Sequence, residues 1–165
     1  MLFRSIALAR AAPAQADQRP LRAALMMSLA LFAFGGLIGL TIDGSNVKVP
    51  AHYHGSIVGV TLAFMGLVYL LLPRLGFDAA SPRAATWQVW LYGAGQMLHI
   101  AGLVWSGGYG VQRKVAGAAQ SLDGIGKIAG MGLMGLGGLV AVIGGLLFLV
   151  LVLRALLRRE SRRRQ

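Results

Sequence analysis

Cysteine is absent from all 165 residues. That excludes disulfides, thiolate metal centres, iron–sulfur clusters and the Cys-x-x-Cys-His attachment of a covalent heme. Acidic side chains are scarce too, five against sixteen Lys and Arg. Histidine occurs only at positions 52, 54 and 99. No internal repeat or soluble domain is recognisable, and any redox chemistry has to come from a bound cofactor.

What the chain does have is apolar length. Four mostly apolar stretches fall at about 23–41, 54–72, 87–105 and 128–153. Each is long enough to cross a hydrocarbon layer of ~30 Å at about 1.5 Å per residue, and the last has room to tilt. The expectation is an all-α integral membrane four-helix bundle, with a basic tail at 1–22, a transmembrane domain at 23–154 and a second basic tail at 155–165. An Ala-Pro-Ala-Gln-Ala run near the start resembles a signal-cleavage region, but the apolar patch before it, residues 6–8, is too short for a secretory signal.

A net charge of +11 suggests nucleic acid until the positions are read. The basic residues lie beside the apolar stretches, so their placement is topological, and no nucleic-acid partner is expected. Twelve fall before the first stretch, between the second and third, or after the fourth; Lys48, Arg113, Lys114 and Lys127 make up the other side. The positive-inside bias then puts both termini in the cytoplasm of a bacterial-type inner membrane, with the basic tail resting on anionic membrane lipid.

The fourth stretch is rich in glycine, with Gly130, Gly132, Gly135, Gly137, Gly138, Gly144 and Gly145, and the first carries Gly35, Gly36 and Gly39. Small residues at such spacings read as close helix packing. Trp87 and Trp90 open the third stretch, and Trp105 and Tyr109 close it, as interfacial aromatic belts do. Two turn-rich loops are expected on the outer side. One holds Asp43-Gly-Ser-Asn46; the other, longer and the natural place for a partner or cofactor edge, runs over 106–127.

All three histidines lie in or next to apolar stretches, where an ionisable side chain points to function by default. His52 and His54 are two residues apart, so on an α-helix they point about 200° apart. One helix thereby offers an imidazole to each of two sites and does not easily place both on one metal. The alternative is an interfacial pair bonded to water or backbone. His99 lies seven residues before Ser106, about 10 Å deeper by helical rise. It is open to two readings, an axial or supporting ligand, or a neutral buried histidine bonded to backbone or Gln96.

The run Val49-Pro-Ala-His-Tyr-His-Gly55, on a helix closing with Tyr69-Leu-Leu-Leu-Pro-Arg-Leu-Gly76, resembles the tenth helix of the heme-copper oxidase catalytic subunit (subunit I). That superfamily includes cytochrome oxidases and cytochrome-type nitric oxide reductases. Trp105-Ser-Gly-Gly-Tyr-Gly-Val-Gln-Arg-Lys114 is similar to the loop after the family's eleventh helix. The resemblance covers residues 49–114. It implies that His52 and His54 are iron ligands, that Arg113 and Lys114 meet heme propionates, and that the cofactor is a non-covalent heme b.

The family's His-Pro-Glu-Val-Tyr copper segment, its paired copper histidines and the helix bearing the low-spin heme's other histidine have no counterpart, so no copper site is expected. The family subunit is three arcs of four helices, and this chain matches one arc. A homotrimer with hemes at protomer interfaces, each held by His52 of one protomer and His54 of the next, would imitate the whole. The implied function is electron transfer or diatomic gas contact at heme, served by a respiratory-chain redox partner. The alternatives are a non-catalytic subunit or assembly partner of a respiratory oxidase, and an oxygen or nitric oxide reductase.

Overall fold

The structure, a computed structural model, describes residues 15–115 and 117–163. Most of the expected N-terminal tail (1–14) and the last two residues of the C-terminal tail lie outside the described residues. Four α-helices follow one another: α1 (Arg19–Gly39), α2 (Lys48–Arg74), α3 (Pro82–Gly108) and α4 (Ile125–Arg163), with short 3-10 turns at Ala16–Gln18 and Gly117–Gln120. Among the described residues the only β pairing is an isolated antiparallel bridge between Asn46 and Gln112.

α1, α2 and α3 start before the apolar stretches because their first turns tolerate proline, whereas α4, which has none there, runs through most of the expected basic tail as far as Arg163. Pro50 and Pro82 both sit in a first turn, where a missing N–H forfeits no intrahelical bond. α2 therefore starts six residues before the stretch read from hydropathy, and both His52 and His54 lie inside it.

Three segments, Ala16–Gly39, Lys48–Arg74 and Ile125–Arg158, are long and apolar enough to cross a membrane by length and composition. The expectation of four membrane spans holds, by length and composition, for these three. α3 matches α2 in length, 27 residues each, but Gln88, Gln96 and His99 lower its hydropathy. The packing gives the reason. α3 lies against α1, α2 and α4, whereas α2 and α4 meet little, so α3 alone packs on all three of the other helices and can bury polar side chains among them.

Gln88 shows what that position allows. Its side chain is 0 % exposed. Its amide nitrogen donates to the Gly144 carbonyl at 3.2 Å and approaches Met65 Sδ at 3.6 Å, while its Oε1 accepts from the Tyr69 hydroxyl at 2.9 Å. One glutamine thus ties α2, α3 and α4 together, and the Tyr69 ring stacks edge-on against Phe148 beside it. Gln88→Leu keeps the volume but strands the tyrosine hydroxyl, which costs about 1–3 kcal/mol when left unsatisfied. Thermal unfolding in detergent should show the variant melting several degrees below the parent.

The surface is apolar along much of its length. Leu29, Phe32, Phe64, Leu139, Val142, Leu146 and Leu149 are all exposed, as expected when lipid or another apolar partner is the solvent. Trp87, 65 % exposed, and Trp90 mark one end; Tyr53, Trp105 and Tyr109 mark the other.

Glycine sets the helix spacing. A Cβ on Gly35 would stand 2.6 Å from Ser56 N and 2.8 Å from the Gly55 backbone, so α1 and α2 touch main chain to main chain. Gly95 and Gly102 of α3 face Ala141 and Met134, while Gly130, Gly137 and Gly144 of α4 face Ser106, His99 and Tyr92. Both series repeat every seven residues, two turns of helix, which keeps the contact on one seam. Gly36, Gly132 and Gly135 meet nothing within 4 Å and take no part in that packing.

Candidate cofactor site

The end of the bundle bearing the histidines is fastened by its loops. Asn46 side-chain oxygen accepts from the Lys48 amide at 2.9 Å, Val47 N–H donates to the Val111 carbonyl at 3.1 Å, and Arg113 Nε donates to Ser45 Oγ at 3.1 Å. The loop after α3 is thereby pinned to the loop before α2, and Arg113 is held at the same end as His52 and His54. Its terminal guanidinium nitrogens make no hydrogen bond among the described residues. Lys114 is exposed, with its backbone in the left-handed region at φ 62°.

Lys48 pairs with Asp43 at 2.9 Å and Lys127 with Asp123 at 2.7 Å. The lysine hydrogen bond, ahead of simple charge attraction, holds the Asp43 carboxyl below the usual carboxylate range, and Lys127 does the same for Asp123. Both clasps are therefore intact at neutral pH; they loosen only in acid, as pH falls through the lowered values.

His52 and His54 project to opposite sides of α2. His52 turns to α1, its Nδ1 2.7 Å from the Gly35 carbonyl. Its ring lies over Gly39, where a Cβ would come within 2.9 Å of Nδ1. His54 turns to α3, its Nδ1 2.8 Å from the Pro50 carbonyl and its ring centroid 4.8 Å from that of His99, tilted by 45°. His99 Nδ1 in turn lies 2.9 Å from the Met134 carbonyl of α4. Gln96 is not its partner; the Gln96 Oε1 is buried with no hydrogen bond.

A carbonyl oxygen only accepts, so each of the three Nδ1 atoms carries the proton and donates. Each Nε2 is then the nitrogen with the lone pair. Fixing the ring through Nδ1, which leaves Nε2 as the basic nitrogen, is the arrangement that orients and strengthens metal-binding histidines.

The ring spacing limits which pairs can share an iron. Two imidazoles trans on one metal, with bonds of about 2 Å, hold their centroids roughly 6 Å apart. His54 and His99 are closer than that, and His52 is turned away from both. As placed, then, one chain offers a single imidazole from α2 on each side of that helix. Among the described residues no group of three or more His, Cys, Asp or Glu is assembled.

The His54–His99 contact was missed by sequence reasoning, although a weak signal existed. His54 lies six residues inside α2 and His99 nine residues inside α3, so helical rise sets them at similar depths of about 9 and 14 Å. The carbonyl partners had no sequence signal.

No family model matches the chain. Similarity to other proteins is nonetheless clear. Over 135 residues, 75 % of this chain, it is 41 % identical to an "uncharacterized protein" of Rickettsia prowazekii (strain Madrid E), covering 26 % of that protein. Over 56 residues, 34 % of this chain, it is 36 % identical to another of Aquifex aeolicus (strain VF5), covering 14 % of it. The chain spans about a quarter or less of the curated relatives it matches.

Proposed function

We propose that this chain is a membrane b-type heme protein similar to one arc of the heme-copper oxidase subunit I, with the heme held between protomers. The observation that carries the reading is the set of three histidines whose Nδ1 atoms all donate to backbone carbonyls within 2.7–2.9 Å. Their donor chemistry fits a heme iron. His52 and His54 would hold the iron through their ring nitrogens, with the His99 ring packed against His54.

In this reading α3 crosses the membrane with the other three helices, shielded from lipid by them. Both termini then lie on the cytoplasmic side of a bacterial-type inner membrane, and the histidines near its outer face. Arg113, oriented through Ser45, and Lys114 stand at that end to pair with propionate carboxylates by charge-assisted hydrogen bonds.

Because one chain gives one imidazole per side of α2, a bis-histidine site needs a second chain. A homotrimer closes such a set, each protomer giving His52 to one neighbour and His54 to the other. Such a heme would supply one-electron redox chemistry, and ligation by both His52 and His54 would favour electron transfer over gas binding. Electron exchange with a respiratory-chain partner is then the function; with a single imidazole, contact with a diatomic gas takes its place.

Protein expressed with heme supplied and purified in detergent should show a Soret band with sharp reduced α and β bands. Iron should appear at heme stoichiometry without a second metal, and native mass should give three chains. Colourless protein would sink the reading in favour of a non-catalytic oxidase partner, and a second metal would favour a gas reductase.

A further inference from the structure

The opposite end of the bundle leaves its cations differently placed. At the histidine end Lys48 and Lys127 have carboxylate partners and Arg113 has a hydroxyl, leaving exposed Lys114. At the other end Arg19 and Arg83 make no hydrogen bond or ion pair among the described residues. Both line one cavity of about 590 Å³, between the 3-10 turn before α1 and the first turn of α3, which Trp87 also walls.

Three further features give this cavity its sign. Ser81, at the N-cap of α3, makes no capping bond with its side chain, so the first N–H groups of a 27-residue helix stand at the cavity. Across Ser81 lies a smaller cavity of about 120 Å³ walled by Arg154 and Arg158 of α4. Two carboxylates belong to the same end, Asp17, which lines a neighbouring hollow on the Tyr69 side, and Asp78, in the loop before α3. Cations therefore outnumber acids around the first turn of α3, where the helix dipole also favours an anion.

We infer that this cavity is a binding site for the phosphate headgroup of an anionic phospholipid, gripped by Arg19 and Arg83 with Trp87 at the headgroup level. Its position argues for lipid over a soluble anion. Arg19 begins α1 and Trp87 lies in the second turn of α3, 65 % exposed, at the end of the bundle where an interfacial aromatic meets headgroups. The volume is that of a small-ligand pocket, and a guanidinium fork matches phosphate geometry better than a point charge does. The inference stands apart from the heme reading and needs only that α1 crosses a membrane.

The test uses the full chain in nanodiscs of phosphatidylcholine containing a minor share of phosphatidylglycerol, followed by native mass spectrometry of retained lipid. The parent should retain phosphatidylglycerol preferentially. An Arg19→Gln/Arg83→Gln variant should lose that preference by roughly twenty-five-fold, since each basic side chain near an anionic surface is worth about a factor of five. An Arg162→Gln/Arg163→Gln variant, with the same change in net charge, should keep it.

Equal loss in both double variants would reduce the effect to bulk charge and overturn the site. Retention blind to headgroup charge would also overturn it, as would displacement of the lipid by inorganic phosphate alone at millimolar concentration, the mark of a free-anion site. Circular dichroism of each variant separates loss of lipid from loss of fold.

Discussion

Purified His52→Ala and His54→Ala should each hold at least about tenfold less heme per chain than the parent, because losing even the supporting partner of a metal-bound histidine costs about 10–100-fold in affinity. Both effects are expected from single substitutions, since the two rings point to different sides of α2 and neither can stand in for the other. His99→Ala should behave differently. It removes only a ring packed on His54 and leaves the Pro50 carbonyl that fixes His54 Nδ1 in place, so heme content should stay near that of the parent while the midpoint potential shifts as the packing on His54 changes. Imidazole added to His54→Gly should restore the α and β bands, which a merely structural histidine would not allow. Spectra unchanged in both α2 variants would end the heme assignment, whatever the mass of the oligomer.

The second large effect lies in the α3–α4 seam. Gly137→Leu should abolish folding or cut the yield of folded protein severely, because its side chain would enter space held by the His99 backbone and the Gly95 carbonyl. Overpacking a core typically costs about 1–3 kcal/mol, and more where the obstacle is main chain that no rotamer change can clear. Gly95→Leu, facing the same contact from α3, should fail in the same way. Gly135→Ala is the control: nothing lies within 4 Å of a Cβ there, and alanine is the better helix former by roughly 1 kcal/mol. Detergent-solubilised yield and thermal melting, measured side by side, read all three. A Gly137→Leu protein as abundant and as stable as the parent would mean that the helices do not pack along this seam.

Much of the arrangement was legible because it follows from local chemistry. Apolar runs located four helices, with starts misplaced by a few residues where proline sat in a first turn and with the end of α4 placed too early, because a basic, polar sequence past the apolar run still continues as helix. The i, i+2 spacing of His52 and His54 fixed their divergence before any neighbour was known, since helical geometry alone turns them to opposite sides. The glycines of α4 were readable as packing residues, but not which ones. Gly130, Gly137 and Gly144 contact α3, whereas Gly132 and Gly135 face outward, and only the position of the partner helix separates them.

Composition by itself determined that this is a helical, cysteine-free chain made for an apolar solvent, because transfer energies and helical rise depend on the sequence alone. The tertiary structure decided what depends on residues far apart in the chain. It placed Gln88 at the junction of three helices, which explains why α3 tolerates polarity that its hydropathy would penalise in lipid. It set His54 against His99 and gave each imidazole a carbonyl from Gly35, Pro50 or Met134. It also left Arg19 and Arg83 facing one cavity, a meeting of two helix starts separated by more than sixty residues that no pattern along the chain could announce.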